Sequence, residues 1–340
     1  MRSASSRLVP QAYRPALADP AFRRLLVGFW ISDLGDGKSF VAVAWLALEL
    51  APARSQGLWV GAAVAAYTLP GVVGALVLGR QARRVPARWL VAGDGVVRGV
   101  FLGLVPLAWL AGWLTPAGYV GLLAASSLLH AWGHAGKYTL VADLLPAEQR
   151  LPANTLLSSL TWAATIAGPA LAGLLVTYVS TVLVLGLDAL TFLFLAGLVA
   201  GVSLPPARQE ADSPPDRAAR GGFRLLRAHP ELLGLLVLTW FFNALYGPVE
   251  VALPLHVSAD LEAPGTLLGT YWMLFGVGAL VGGLAVGSLR RLKLWPVTVA
   301  IVVGWGCRCC PSGSRRFRWP RPWAASPSAG RSTGRSWRCR

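Results

Sequence analysis

A short basic loop between two long apolar stretches sets the strongest limit on what this chain can fold into. The loop runs from Gly79 to Arg88 and carries four arginines, and the apolar stretches Gly57–Leu78 and Trp89–Trp113 flank it. About 20 apolar residues are enough for a helix to cross the hydrocarbon core of a bilayer. Because short loops rich in Arg and Lys stay on the cytoplasmic side, the pattern predicts a polytopic membrane protein with this loop in the cytoplasm.

The composition supports a membrane protein and argues against binding to nucleic acid. Of the residues, 55% are hydrophobic and 14% are charged, whereas a soluble domain carries about a quarter charged residues. The net charge is +16, but nine of the 31 basic residues lie beyond Cys307 in a tail without acids, and most others fall in predicted cytoplasmic loops. That distribution is typical of residues that set membrane topology and attract anionic lipid headgroups.

No catalytic, cofactor or metal site is evident in the sequence. All four cysteines (Cys307, Cys309, Cys310 and Cys339) lie in the tail, without a nearby histidine or a second pair at zinc-site spacing. The sequence also has no Gly-x-Ser-x-Gly, Gly-x-x-x-x-Gly-Lys-Ser/Thr or His-Glu-x-x-His motif. We therefore expect neither an enzyme nor a protein that depends on a cofactor or a metal ion.

Eight complete membrane spans and the start of a ninth are predicted. The ninth begins near Leu294, after the basic residues Arg290, Arg291 and Lys293. With a cytoplasmic N-terminus, the inner loops hold these and the other basic clusters, whereas the outer loops hold only Arg54. This asymmetry predicts a multi-pass protein of the plasma (inner) membrane whose N-terminus is cytoplasmic. The complete spans are Leu25–Leu50, Gly57–Leu78, Trp89–Trp113, Ala117–Gly136, Asn154–Val179, Thr181–Leu204, Leu232–Val257 and Leu267–Leu289.

The spans fall into two groups separated by a polar linker. The heptamers Val73–Gly79 and Val281–Gly287 are similar, and a basic turn follows each. They end the second and eighth spans, where a parallel repeat of two six-span halves would place them; alternatively, such Gly/Ala/Val/Leu heptamers recur in any membrane protein. The predicted divisions are a basic cytoplasmic arm (1–24), an N-terminal six-helix bundle (25–204), a cytoplasmic linker (205–231), a partial C-terminal bundle (232–306) and a basic tail (307–340).

Both ends of the chain differ from the apolar bundles. In the arm, Pro10, Pro15 and Pro20 are expected to discourage regular structure. After Gly306 the sequence turns to Arg, Ser, Pro, Trp, Gly and Cys without an apolar run, so the ninth span is too short to cross. The tail is interpreted either as a disordered basic cytoplasmic segment or, as we expect, as the product of a shifted reading frame in a GC-rich gene.

Several stretches resemble the major facilitator superfamily, particularly its bacterial efflux branch that includes siderophore and macrolide exporters. The most specific is Leu144–Asn154, which leads into Ala167–Gly173, and Phe22–Leu25, Ser32–Asp36 and Leu187–Phe192 are also similar. The resemblance implies an all-α, polytopic helical bundle of twelve helices in two halves. This chain supplies a six-helix N-terminal half and an incomplete C-terminal half.

The resemblance also implies a function. Family members of this branch are monomeric antiporters that export a small amphipathic compound in exchange for protons, by alternating access. Because the sequence has no phosphate loop, an ion gradient is the expected source of energy. The alternative is a truncated, transport-inactive membrane protein with at most a scaffolding role.

The basic loop resembles the superfamily's signature between helices two and three, usually Gly-x-Leu-Ala-Asp-Arg-x-x-Arg-Arg. With Gly79 aligned to its first glycine, Arg83 stands where the family has an Asp that pairs with charges to hold one conformer closed. The reversed sign puts that gating contact in question. In the third span, Asp94 and Arg98 are four residues apart and could pair on one helix face. The candidates for gating are therefore Gly79, Arg83, Arg84, Arg88, Asp94 and Arg98.

Two carboxylates in the first span are candidates for proton coupling. A charge at the centre of a span costs on the order of 3 kcal/mol, so it is a functional hypothesis by default. Asp33 and Asp36 lie one turn apart, and two neighbouring buried carboxyls suit a reversible proton site. Alternatively, Asp33 reaches the interface, Asp36 bonds a neighbouring helix, and Lys38 neutralises one of the two.

Four further residues in the spans are candidates for proton or substrate binding. His130 and His134 lie one turn apart on the fourth span, ahead of Lys137, and form either a proton relay or a polar stripe against other helices. Asp188 in the sixth span matches a family position and is expected to form a helix–helix hydrogen bond. Glu250 follows a predicted kink in the seventh span, and either of these two acids could attract a cationic substrate.

Gly168-Pro169, together with Gly173, predicts a mechanical role for the fifth span. Proline removes a helical hydrogen bond, and small residues let helices approach and pivot. In the superfamily that this chain resembles, such a motif is associated with antiporters, which favours export. The alternative is a simple packing kink.

Overall fold

A computed structural model describes residues 13–82, 84–202 and 227–288. These residues lie in one compact unit that ends at Ser288. Four sequence-based predictions fall outside the described residues: the role of Arg83, most of the linker, the ninth span and the tail.

The described residues are helical, and no strand occurs among them, so the all-α prediction is confirmed. A short turn of 3-10 helix at Ala53–Ser55 and a π-helical turn at His256–Asp260 accompany the α-helices. The α-helices are α1 (Arg14–Ala18), α2 (Pro20–Leu50), α3 (Gln56–Val77), α4 (Gly79–Ala82), α5 (Ala87–Leu110), α6 (Pro116–Ser126), α7 (His130–Leu144), α8 (Ala147–Tyr178), α9 (Thr181–Ala200), α10 (Pro230–Leu255) and α11 (Gly265–Ser288).

Several of these helices have the length and composition needed to cross a membrane. α2 has a similar length, with 31 residues, but carries Asp33, Asp36 and Lys38 near its middle. The chain is thus a multi-pass membrane protein, as predicted. Among the described residues, five segments meet both criteria: Ala53–Val77, Ala87–Leu110, Ala147–Gly173, Thr181–Ala200 and Pro230–Asp260.

The predicted fourth span, Ala117–Gly136, is wrong as a continuous helix, because it breaks between α6 and α7. Next to the break, Ser127 donates a hydrogen bond to the backbone oxygen of Ala66 in α3 at 2.7 Å. Trp132 donates one to the backbone oxygen of Gly74, also in α3, at 3.0 Å. Serine hydroxyls compete with the helical backbone for hydrogen bonds, and here both side chains tie the break to the neighbouring helix.

The N-terminal arm is more helical than its prolines predict. Pro15 and Pro20 each lie in the first turn of a helix, where proline is favoured because its missing N–H has no helical partner. Asp19 precedes α2, and its carboxylate accepts backbone hydrogen bonds from Ala21 at 2.8 Å and Phe22 at 2.9 Å. Aspartate is a preferred residue at this capping position. Pro15 and Pro20 therefore begin helices instead of interrupting them, and Pro10 lies outside the described residues.

α2 is the central helix of the described bundle. It packs against α3, α8 and α9, while α5 packs against α6, α7 and α9. Two glycine contacts bring α8 close to its neighbours: Gly168 lies against Gly37 of α2, and Gly173 lies against Gly269 of α11. Glycine allows backbones to approach closely in membrane helices. α8 therefore contacts both the N-terminal helices and the second helix of the C-terminal group.

Replacing Gly168 by alanine is expected to destabilise the fold. The new Cβ would lie 2.6 Å from the Gly37 backbone and force α2 and α8 apart, and overpacking of this kind costs about 1–3 kcal/mol. Gly197→Ala in α9 is the matched control, because nothing lies within 4 Å of its Cβ position. Thermal unfolding in detergent measures both variants. An unchanged unfolding midpoint for Gly168→Ala would contradict the close contact.

Candidate functional site

A buried ion pair joins α2 to α5. Nη2 of Arg98 lies 2.6 Å from Oδ1 of Asp36, and Nη1 lies 3.5 Å from Oδ2. The Arg98 side chain is 3% exposed and the Asp36 side chain 33%. Charge-assisted hydrogen bonds between guanidinium and carboxylate groups are among the strongest in proteins. The guanidinium is thus enclosed, while part of the carboxylate remains accessible.

Tyr67 and His130 extend the ion pair to α3 and α7. The Tyr67 hydroxyl donates a hydrogen bond to Asp36 and accepts one from Arg98. Nδ1 of His130 lies 2.6 Å from Nη1 of Arg98, and because a guanidinium only donates, this nitrogen is the acceptor. His134, one turn further along α7, is exposed, and its ring centroid lies 6.3 Å from that of His130. Four helices thus meet at one guanidinium, which we call the Arg98 network (Asp36, Tyr67, Arg98 and His130).

Aromatic rings cover the guanidinium of Arg98. Its Cζ lies 4.2 Å from the ring centroid of Phe192 and 5.1 Å from that of Tyr67. Cation–π contacts within about 6 Å are attractive, more so when desolvated. The side chain is therefore held by charge, hydrogen bonds and ring contacts, except at Nε, which has no hydrogen-bond partner among the residues that the structure describes.

Asp94, one turn before Arg98 in α5, is buried and incompletely bonded. It is 8% exposed, and its Oδ1 has no hydrogen-bond partner within the described part of the chain. Its carboxyl group packs against Gly133 of α7, where a Cβ atom would overlap it. The pairing of Asp94 with Arg98 that their spacing suggests is not observed, because Asp36 and His130 of other helices engage the guanidinium.

A second buried ion pair lies one turn away on α2. Nζ of Lys137 lies 2.7 Å from Oδ2 of Asp33 and 3.0 Å from Oγ1 of Thr161. Thr161 also donates a hydrogen bond to Asp33 at 2.6 Å, and Nζ lies 5.1 Å from the ring centroid of Phe29. Asp33 is therefore bonded inside the bundle, where it links α2, α7 and α8.

Asp188 is fully buried and bonds α9 to α2. Its carboxylate accepts a hydrogen bond from Ser39 of α2 and one from Thr191 at 3.1 Å. Gly35 of α2 leaves the space that this carboxylate occupies, since a Cβ atom there would overlap it. Lys38 is also buried and forms no ion pair with any described residue. Asp188 thus has a helix–helix hydrogen bond.

A cleft borders the Arg98 network between α2, α3, α10 and α11. It opens to solvent, and the space within its walls is about 20 Å³. Tyr67 forms one part of its wall and Glu250 another, and most of the remainder is apolar, including Phe40 and Trp272. The rings of Phe40 and Trp272 meet edge-on with centroids 5.0 Å apart. Apolar walls with a few polar groups are typical of small-molecule sites, so this cleft is the candidate substrate site.

The basic loop after α3 lies apart from this site. Gly79 is buried, Arg84 is exposed, and the guanidinium of Arg88 lies 5.0 Å from the ring centroid of Trp89. In the described part of the chain, no hydrogen bond or ion pair joins these three loop residues to the Arg98 network. The gating candidates of the basic loop and α5 therefore lie in two separate places: the loop itself, and the buried residues Asp94 and Arg98 on α5.

Four hydroxyl partners of the buried acids were not predicted from the sequence: Tyr67, Ser39, Thr161 and Thr191. Each is a single hydroxyl in an apolar helix, and such residues are common in helix packing. Of these residues, only Tyr67 could have been recognised from the sequence as a hydrogen-bonding partner. It lies three residues before Pro70 in an otherwise apolar span, and a buried tyrosine hydroxyl usually finds a hydrogen-bond partner.

Comparison with known proteins agrees with this architecture. A family model described as the Major Facilitator Superfamily matches residues 25–315. An uncharacterized MFS-type transporter from Sinorhizobium fredii is 27% identical over 280 residues, which cover 82% of this chain and 68% of that protein. The family match covers most of the chain and includes all of the buried acids described above.

Proposed function

We propose that this chain carries out proton-coupled efflux. The proposal starts from the family: the chain belongs to the major facilitator superfamily and is a secondary transporter, not an enzyme. The proposal adds the coupling ion, the direction and the kind of substrate. The coupling ion is the proton, the direction is export across the plasma (inner) membrane, and the substrate is a small amphipathic compound. The bacterial drug and siderophore exporters that the sequence resembles have this combination.

One observation carries the proposal: the Tyr67 side chain belongs to both the Arg98 network and the cleft. It bonds Asp36 and Arg98, and its side chain lines the cleft. Loss of the charge on Asp36 would change the hydrogen bonding of a group at the substrate site. A substrate that displaces Tyr67 would in turn change the ion pair. Coupling between two ligands requires this reciprocity.

In the proposed cycle, Asp36 alternates between an ion pair with Arg98 and a protonated form. Protonation removes the charge that holds the guanidinium, so Arg98 and Tyr67 are free to rearrange at the cleft. Asp33 does not take part in this proposal, because neither it nor its partners Lys137 and Thr161 line the cleft. Proton binding and substrate binding therefore oppose each other through one carboxyl group, which is the requirement for antiport.

The conformational change is proposed to use α8 as a pivot. Gly168 contacts α2 on the N-terminal side, and Gly173 contacts α11 on the C-terminal side. Backbone contacts of this kind let helices slide without displacing side chains. The basic loop Gly79–Arg88 is proposed to face the cytoplasm, as is the N-terminus, because short basic loops are retained there.

The cleft favours a substrate with an apolar body and a positive charge. Glu250 contributes a carboxylate to a wall that is otherwise mostly apolar. Phe40, Tyr67 and Trp272 contribute aromatic rings to the same wall, and such rings attract cations. A lipophilic cation satisfies both features, while a neutral compound of the same size uses only the apolar ones.

Dye efflux from whole cells tests this function. Cells that express the chain are loaded with ethidium, a cation, or with Nile red, a neutral dye, and efflux is followed with and without a protonophore. We expect efflux that stops when the protonophore is added and that is faster for ethidium. Efflux that persists with the protonophore would contradict proton coupling. An inserted chain without any efflux would contradict transport and favour the inactive alternative.

A further inference from the structure

We propose that Asp94 is a second proton-binding carboxyl group, which exchanges the guanidinium of Arg98 with Asp36. This inference rests on the proposed proton coupling and assigns a role in it to a residue outside the cleft. In the observed arrangement, Asp36 holds Arg98 and Asp94 holds the proton. In the second arrangement, Asp94 holds Arg98 and Asp36 holds the proton.

Two buried atoms without partners carry the inference. Oδ1 of Asp94 and Nε of Arg98 both lack a hydrogen-bond partner among the described residues, although about nine in ten buried polar groups have one. One is an acceptor and the other a donor. Their residues are four apart in α5, a spacing that places both side chains on the same helix face. A modest rotation of the Arg98 side chain would therefore join the two unpartnered atoms.

The surroundings of Asp94 favour a neutral carboxyl group in the observed arrangement. It is 8% exposed and packs against the backbone of Gly133. An ionised carboxylate in such a place needs a paired charge, and without one it binds a proton instead. The guanidinium that could supply that charge is already bonded to Asp36 and His130.

Among the described carboxyl groups around Asp94, Asp36 is the one that competes with it for the guanidinium of Arg98. On α9, Asp188 is bonded to hydroxyl groups, and on α2 Asp33 is paired with Lys137 of α7. Arg98, one turn further along α5, is bonded to Asp36. Asp36 is thus the carboxylate with which Asp94 exchanges the guanidinium. Other titratable groups on these helices include Lys38 and Glu49 on α2, Tyr67 on α3, and His130, His134, Tyr138 and Asp143 on α7.

The exchange conserves protons and charge. Each arrangement contains one guanidinium ion, one carboxylate and one protonated carboxyl, so the net result is the movement of one proton from Asp94 to Asp36. Asp94 lies four residues before Arg98, about 6 Å closer to the start of α5 at the helical rise. The cleft lies on the other side of the pair, where Phe40 and the residues after it follow Asp36 along α2. The exchange therefore moves a proton past Arg98, between the start of α5 and the cleft.

Reconstituted full-length protein tests the role of Asp94, with ethidium as the transported probe. Two rates are compared: transport driven by a pH gradient, and exchange of labelled for unlabelled ethidium without a gradient. We expect Asp94→Asn to lower the rate of pH-driven ethidium transport by about tenfold or more, because the coupled proton is lost. It should keep the exchange rate, since the cleft is intact. Asp143→Asn, in the exposed end of α7, is the control that should keep both rates.

Labelling of the wild type with dicyclohexylcarbodiimide gives a second test that does not need a variant to fold. This reagent modifies protonated carboxyl groups in apolar surroundings, and mass spectrometry locates the label. We expect the label on Asp94. An unlabelled Asp94, an Asp94→Asn variant that still couples, or an equal loss of both rates would overturn the inference. If the wild type shows no pH-driven transport, the proposed function fails, while the label still decides whether Asp94 holds a proton.

Discussion

Asp36→Asn is expected to abolish transport against a gradient, with some loss of stability because the buried Arg98 loses its counter-charge. Asparagine has the same shape and can still accept hydrogen bonds from Tyr67 and Arg98, but it cannot bind and release a proton. Because ethidium carries one positive charge, its exchange for one proton moves no net charge, and the pH gradient alone drives it. A difference of one pH unit supplies about 1.4 kcal/mol per proton, which corresponds to a concentration ratio of about tenfold. At that pH difference the dye gradient should therefore fall from about tenfold to near unity.

The gradient of ethidium in energised membrane vesicles measures this effect. Glu49→Gln is the matched control, because Glu49 is an exposed acid at the far end of the same helix, outside the Arg98 network. Its partner Thr181 donates a hydrogen bond at 2.9 Å, which glutamine can also accept. A full gradient with Asp36→Asn would show that another group couples the proton.

Arg98→Ala is expected to cause the largest loss of stability. It leaves Asp36 without its cation and His130 without its donor, and it empties the space beside the rings of Phe192 and Tyr67. Removing one partner of a buried ion pair costs about 3–5 kcal/mol. Because the Asp36 side chain is 33% exposed, water relieves part of that cost, so we expect a loss near the lower value, about 3 kcal/mol.

Unfolding in detergent, followed by heat or denaturant, measures this loss. The double variant Asp36→Asn/Arg98→Gln is the useful comparison, because it removes both charges of the ion pair. It should recover part of the stability while remaining uncoupled. An Arg98→Ala variant with the same unfolding midpoint as the wild type would contradict a structural role for the ion pair. A double variant that still couples ethidium transport to protons would contradict a role of the pair in transport.

The sequence was sufficient for seven of the eight complete spans and for the choice of Asp36 and Asp188 as buried acids. Apolar length predicted α2, α3, α5, α8, α9, α10 and α11, because a membrane helix leaves a long signal that tertiary contacts do not alter. Asp36 and Asp188 were singled out because a charge within an apolar span is costly and so is seldom accidental. Both lie in the bundle beside partners that satisfy them.

The pairing of those acids was beyond the reach of the sequence. Lys38 is two residues from Asp36, but residues two apart on a helix do not face each other, and the actual partner is Arg98 on another helix. Asp94 has the ideal spacing from Arg98, yet the guanidinium bonds across helices. Which faces of α2 and α5 meet depends on packing among several helices, and local spacing does not record that.

The break in the fourth span escaped prediction for the same reason. The apolar run through Ala117–Gly136 is continuous in sequence, and the feature that accompanies its interruption is a hydrogen bond from Ser127 to Ala66 of α3. Gly168 was predicted to be a helix contact because it is a small residue next to Pro169. Its partner Gly37 was not predicted, because many other glycines in these spans could equally have made the contact.

Proton movement driven by substrate tests the central claim most directly. The purified chain is sealed into liposomes that contain a pH-sensitive dye, and an outward gradient of ethidium is imposed without any pH gradient. Proton-coupled antiport predicts that protons enter as ethidium leaves, and that Asp36→Asn removes this acidification. Ethidium that leaves without any change of internal pH in the wild type would contradict proton coupling.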